Sequence, residues 1–163
     1  GFLSREDAIN YGVTGPSGRG SGWACDVRKR SPYAAYDKVQ FDEVLYNEGD
    51  SYARYMVRMK EIEQSLHILE QLVDNIPEGD YLAKTKPIIK VPEGRYFKEV
   101  EAARGAFGIY LESRGDKFPY RLKVNSPGFN LVGAVDHMTR GSKIADLIAI
   151  GGSLDYVVPD IDR

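Results

Sequence analysis

One pattern constrains this chain more than any other. Tyr52, Tyr55, Met59, Ile62, Leu66, Leu69, Val73 and Ile76 are spaced alternately by three and four residues. An apolar seam that repeats every seven residues holds one face of a helix and no face of a strand. Asp50 or Ser51 supplies the starting cap, and Pro77 with Gly79 supplies the stop. The spacing predicts a helix over about 50–76, roughly 39 Å long at 1.5 Å per residue. Met56 and Leu72 widen the stripe beyond a two-stranded coil, which points to a bundle inside a larger fold. The seam calls for partner helices that the rest of this chain does not supply.

Shorter elements flank it. Ser4 with Asp7 three residues later makes a capped helix start, ending near Gly12. Tyr33 to Tyr46 reads as extended or irregular, and residues 80–98, with Pro87, Pro92 and Gly94, as loop. Lys98–Ala102, Phe107–Ser113 and Tyr120–Val124 form a small antiparallel meander within about 98–124, turning at Arg104-Gly105 and Arg114–Pro119. Ser126-Pro127 opens a helix that runs to Gly141, and Ser142 caps a last one, Ile144 to Ile150, broken by Gly151-Gly152. The fold class is α+β, dominated by helix.

Residues 12–36 are the least ordinary stretch. Five glycines, two prolines, four basic residues and three aromatics surround the only cysteine. Glycines let a backbone come close to its neighbour, while Trp23, Tyr33 and Tyr36 are more than a linker needs. The stretch is a loop held against something, either a buried structural turn or a functional loop. Gly15 and Gly20 have P-loop spacing, but Ser21-Gly22 follow where Lys and Ser or Thr are required. Trp23 stands at the third glycine position of a dinucleotide fingerprint, where it blocks close helix–strand packing. The loop does not bind nucleotides.

A net charge of −2 gives no reason to expect nucleic acid or an anionic membrane as partner. Arg28-Lys29-Arg30 reads as a solvated face or a set of ion-pair partners. The lone Cys25 excludes an internal disulfide and reads as a small buried hydrophobe. His67 and His137 lie far apart, at no metal-pair spacing, so no metal site is expected. No apolar run approaches the ~20 residues of a membrane span. Gly1 reads as a cut within a longer chain.

Two sets of charges stand out. Asp50, Arg54 and Arg58 recur at i, i+4 and i+8, opposite the seam, either as a surface ion-pair ladder or as internal partners. In the tail, Asp155, Asp160 and Asp162 alternate with Tyr156, Val157, Val158 and Ile161. A frayed terminus is normally polar, and this one is not. If buried, those carboxylates need cations, with Arg28, Arg54, Arg58 and Arg163 available.

Several stretches together resemble one family: Gly12–Pro16, Arg19–Gly22, Asp26–Lys29, Pro32-Tyr33, Gly49-Asp50, Arg54-Tyr55, Arg58-Met59, Val100–Ala102, Arg104-Gly105, Pro119–Arg121, Pro127–Phe129, Ala145-Asp146 and Asp162-Arg163. In this order they resemble the C-terminal part of the D subunit of respiratory complex I, the NADH:quinone oxidoreductase, which shares a superfamily with the nickel–iron hydrogenase large subunit. The resemblance implies that residues 1–163 are the C-terminal fragment of a single larger domain. The hydrogenases carry metal-binding cysteines in this terminal segment, whereas residues 154–163 here contain none, which places the chain on the quinone-reducing branch.

The resemblance further implies a tail beside a quinone cavity. Asp155 serves there as an electrostatic or proton-relay group and Val157 as an apolar wall. Arg163 is buried, and Asp50, Arg54 and Arg58 are internal ion-pair partners. No cofactor is bound by this chain. Quinone is the substrate, and the iron–sulfur cluster belongs to a partner subunit. Other peripheral-arm and membrane-arm subunits are further partners, and the location is peripheral, on the cytoplasmic side of the inner (plasma) membrane. The isolated chain is expected to be inactive and prone to self-association through the seam. A related assembly fed by ferredoxin or a reduced deazaflavin, and a purely structural scaffold, remain alternatives. Ala103 and Ala106 stand where the family commonly has Pro and Glu, and Val158-Pro159-Asp160 where Phe-Gly-Glu is common, which bears on local structure.

Overall fold

A computed structural model describes residues 1–161. Helix α1 (Arg5–Tyr11) starts as its sequence dictates: Ser4 Oγ accepts the Asp7 N–H at 3.0 Å, and Gly12 closes it in the left-handed region. The glycine-rich stretch is not one loop. It contains two short helical segments, α2 (Gly15–Arg19) and α3 (Val27–Arg30), the second capped by the Asp26 carboxylate. Sequence pattern misses them because each is too short to show a period.

The long helix is α4 (Ser51–Val73), three residues shorter at its end than the seam suggests. Asp50 caps it, its carboxylate accepting the Ala53 N–H at 2.7 Å. β1 (Gly94–Ala102), β2 (Gly105–Ser113) and β3 (Arg121–Asn125) form an antiparallel sheet in the order β1-β2-β3. β1 and β2 pair from Gly94↔Ser113 to Ala102↔Gly105, longer than propensity alone indicates. Helix α5 (Pro127–Thr139) starts at the Ser126 cap. Helix α6 (Ile144–Leu154) is capped at Lys143 rather than Ser142, with the Asp146 carboxylate accepting the Lys143 N–H at 2.9 Å. It runs through Gly151-Gly152 instead of breaking there. Two glycines cost a helix about 1 kcal/mol each, but Ile150 and Leu154 on either side are buried in the core. A short α7 (Val158–Ile161) follows.

The apolar core lies between α1, α5 and α6. Leu3, Ala8, Val13, Leu131, Ala134, Met138, Ile150 and Leu154 form one buried cluster, with Trp23, Val135 and Tyr156 packed on it. Tyr156 therefore anchors the tail in the core. Gly151 leaves room for that ring, since a Cβ there would meet the Tyr156 hydroxyl at 3.3 Å.

The glycine-rich stretch is held against the β1–β2 hairpin. A Cβ on Gly15 would lie 2.5 Å from the Gly105 Cα, and both residues have positive φ. Thr14 Oγ1 accepts the Ala106 N–H across this contact at 2.9 Å. The glycines thus permit backbone-to-backbone packing, which is the structural reading of the loop. The apolar seam behaves differently. All eight of its side chains are 43–72% exposed, and α4 buries Ala53, Arg54, Val57 and Ile68 instead.

Candidate functional site

The inner face of α4 carries charge into the protein. Arg54 is fully buried, yet no carboxylate of the described residues touches it. Its Nε donates to Ser153 Oγ at 2.9 Å and its Nη1 to the Gly49 carbonyl at 3.0 Å. Nη2 serves the Gly1 carbonyl and Ser51 Oγ, at 2.8 and 2.9 Å. Burial, with Arg58 adjacent and only Asp50 opposing, pushes its pKa down to about 10. Neutral acceptors spread over the whole fork keep this guanidinium buried. The expected ion pairing of Asp50, Arg54 and Arg58 is therefore corrected: among the described residues none of the three makes a salt bridge. Asp50 is occupied as a helix cap. Arg163 lies outside the described residues.

Arg58, one turn further along, donates from Nη1 to the Arg54 carbonyl at 3.1 Å and from Nη2 to the Leu154 carbonyl at 3.5 Å. Burial lowers its pKa, Asp155 and then Glu61 oppose that shift, and Arg19 and Arg104 add to it. Asp155 is the cap residue at the end of α6, in the left-handed region at φ 58°. Arg104, in the β1–β2 turn, pins it: Nε donates to the Asp155 carbonyl at 2.7 Å and lies 3.5 Å from Oδ2. Asp155 is partly exposed and faces two guanidiniums. A left-handed non-glycine residue held by an arginine, at the end of a helix anchored in the core by Ile150 and Leu154, is a built feature.

Val157 follows the anchored Tyr156 and is partly buried. An open apolar concavity of about 470 Å³ lies beside it, lined by Val132, Val135, Tyr156, Val158 and Ile161; neither Asp155 nor Val157 is one of its walls. Asp160 accepts a hydrogen bond from Ser126 Oγ, which ties α7 to the start of α5.

Behind this site is a buried charge cluster that sequence pattern alone does not assemble. Arg19 is nearly inaccessible. It donates from Nε to Glu61 Oε1 at 2.6 Å and from Nη1 to Glu101 Oε1 at 2.7 Å. Glu101 Oε2 also accepts the Val27 N–H at 2.9 Å. Asp26 pairs with Arg28 at 2.6 Å and lies 4.0 Å from Arg19. Burial pushes Asp26 up, but the Arg28 hydrogen bond and charge, with Arg19 behind, hold it below the ordinary carboxylate value. A signal was present: Glu61 lies three residues beyond Arg58 and seven beyond Arg54, on the same face of α4. Arg19 and Glu101 gave none, being 82 residues apart in the chain.

The other singled-out residues have structural roles. Arg28 and Arg30 pair with Asp26 and Glu99, and Lys29 bonds the Phe41 carbonyl and lies over its ring. Cys25 is buried, and burial pushes its thiol up to about 12, which leaves it unreactive. His67 is exposed on α4, and His137 Nε2 lies 3.3 Å from Asp7.

The sequence pattern of the family described as "Respiratory-chain NADH dehydrogenase, 49 Kd subunit" matches residues 1–90 and 84–163. The chain belongs to this family. It is 69% identical over 163 residues to the C/D subunit of the NADH-quinone oxidoreductase of Bacteroides fragilis, covering all of this chain and 31% of that protein. It is 54% identical over 164 residues to the D subunit of the Desulfotalea psychrophila enzyme, and 40% identical over 163 to that of Clostridium beijerinckii. Each of these matches covers all of this chain and 44% of the relative. The chain thus spans 31–44% of the length of these relatives. This member of the 49-kDa family is α+β, as its sequence predicts. Among its described residues no helix is long and apolar enough to cross a membrane.

Proposed function

We propose that this chain is part of the quinone-site subunit of a proton-translocating NADH:quinone oxidoreductase, with Asp155 and Val157 bordering the cavity in which quinone is reduced. The observation that carries the reading is Asp155 itself. It is a partly exposed carboxylate in a left-handed cap, pinned by Arg104 and faced by Arg58, on a tail anchored through Tyr156. Family membership and the names of the relatives support the same assignment.

In the reaction, quinone takes up two electrons and two protons, one proton on each carbonyl oxygen, and leaves as quinol. The electrons come from an iron–sulfur cluster held by a partner subunit, and this chain binds no cofactor of its own. Asp155, set between cations, biases the local potential and relays a proton, and Val157 supplies an apolar wall. The partners are the cluster-bearing subunit, other peripheral-arm subunits and the membrane arm. The location is peripheral, on the cytoplasmic side of the inner (plasma) membrane.

Membranes carrying Asp155→Asn test the reading. Quinone reductase activity should fall tenfold or more, about 1.4 kcal/mol of transition-state stabilisation, while donor:ferricyanide activity, which reports assembly and electron entry, is retained. An unchanged quinone reaction would leave this chain a scaffold. Replacement of NADH by ferredoxin or a reduced deazaflavin as the effective donor would place it in a related assembly.

A further inference from the structure

We infer that the open edge of β3 is the docking site of an extended segment of a partner subunit, one in which apolar and acidic residues alternate. The inference is independent of the assignment of Asp155.

β3 is the last strand of the sheet and pairs on one side only, with β2. The opposite edge of the sheet is finished within this chain. There the Glu101 N–H on β1 donates to the Tyr33 hydroxyl at 3.1 Å, and Glu99 pairs with Arg30 of α3 at 2.9 Å. Among the described residues no strand lies along the outer edge of β3. Its five residues present about 17 Å of backbone N–H and C=O groups in the spacing that another strand completes.

Register and pleat sort the side chains of β3 onto two faces. Leu122 stands opposite Leu111 and Val124 opposite Ile109, on the face that also carries Tyr96 and Val100. This face is apolar apart from Lys98, and Tyr96, Val100, Ile109 and Leu122 are 36–56% exposed on it. Arg121 and Lys123 stand on the other face, opposite Glu112 and Tyr110. Both are exposed, and neither side chain has a salt-bridge partner among the described residues. The turn leading into β3 adds Arg114, over the Tyr120 ring, and Lys117, over Phe118, against one acid, Asp116. A strand laid along β3 thus extends the apolar face with one set of side chains and meets cations with the other. Alternation of Val, Ile or Leu with Asp or Glu satisfies both faces.

The same arrangement disfavours other occupants. A second copy pairing antiparallel through β3 brings Arg121 and Lys123 of one chain against those of the other, and like charges across a ladder repel. Basic residues on an edge strand guard against such self-pairing, but they attract an acidic strand. An anionic membrane surface calls for cations and apolar side chains on one side, whereas here they lie on opposite faces of the sheet.

The test is zero-length carbodiimide cross-linking of membranes holding the whole complex, mapped by mass spectrometry, with hydrogen exchange of residues 120–126 in the same preparation. A cross-link is expected from Lys123 to an Asp or Glu of another subunit, within a stretch where acidic and apolar residues alternate. Lys123→Arg, which keeps the charge and loses the amine, should abolish the link and leave the amides of 121–125 protected. Arg121→Glu with Lys123→Glu should speed exchange of those amides by about tenfold or more, while β1 and β2 amides, which report an intact sheet, stay unchanged. If that variant does not assemble, Arg121→Gln with Lys123→Gln takes its place, with a smaller acceleration in the same direction. A link from Lys123 only to Glu112 of this chain or to a second copy, or no link and freely exchanging amides, would overturn the inference. So would protection without a link that vanishes when anionic lipid is replaced by neutral detergent, which would make the edge a membrane contact.

Discussion

Two regions of this protein are buried by opposite means. Under α1, α5 and α6 the interior is Leu3, Val13, Leu131, Met138, Ile150 and Leu154, held by apolar area removed from water. Under α4 it is Arg19, Arg54, Asp26 and the Glu101 side chain, held by hydrogen bonds with named partners. The first region tolerates a range of apolar shapes at modest cost. The second tolerates little, because removing one partner strands another buried charge. The same helix that turns its charges inward leaves its apolar seam facing out. Its polarity is inverted relative to a surface helix of a self-contained domain.

The largest effect should come from the charged region. Arg19→Met leaves Glu61 and Glu101 without their cation and should destabilise the fold by about 3–5 kcal/mol, read from urea unfolding. A loss under about 1 kcal/mol would make the cluster ornamental. Leu131→Ala in the apolar region should cost about 3 kcal/mol, and the paired variant Leu131→Ala with Val135→Leu should recover part of it. No single neighbouring change should rescue Arg19→Met.

Acid distinguishes the regions next. The Asp26 carboxylate is held below its ordinary value, so it contributes stability that is present above the unfolded-state value near 3.8 and lost as pH falls through the folded one. The wild-type protein should lose this contribution below about pH 4, and Asp26→Asn should flatten that part of the stability curve. A curve of unchanged slope in the variant would contradict the assignment. The smallest effect belongs to the outward seam. Leu66→Lys with Leu69→Lys should change stability by less than about 0.5 kcal/mol each, yet reduce self-association in sedimentation velocity. A large loss of stability would mean the seam is covered within this chain.

Local features of the fold were legible because their causes are local. Ser4 and Ser126 cap the helices they precede, the heptad spacing marked α4, and the turns at Arg104-Gly105 and Arg114–Pro119 marked the meander. What sequence could not show was direction. The seam of α4 faces out, as expected of a seam whose partner helices this chain does not supply, and only three-dimensional placement reveals that Arg54 and Glu61 take the inward side. Nor could it pair Arg19 with Glu101, since contacts across 82 residues leave no periodic trace. The expected continuity of Asp50, Arg54 and Arg58 as ion pairs failed for a physical reason. Backbone carbonyls and serine hydroxyls were already in place to satisfy Arg54. Glycines misled at Gly151-Gly152, where core burial on both sides outweighs helix propensity. The Asp155 and Val157 assignments came from family resemblance, and geometry added what resemblance did not, the Arg104 clamp.

Whether the tail borders the quinone is decided by photolabelling the assembled complex with a photoreactive quinone analogue and mapping the labelled peptides. Label is expected in the tryptic peptide 144–163, at or beside Asp155 and Val157, and it should disappear when excess unlabelled quinone competes. Label confined to peptides outside this chain, or label here that competing quinone does not displace, would refute the placement of the tail at the cavity.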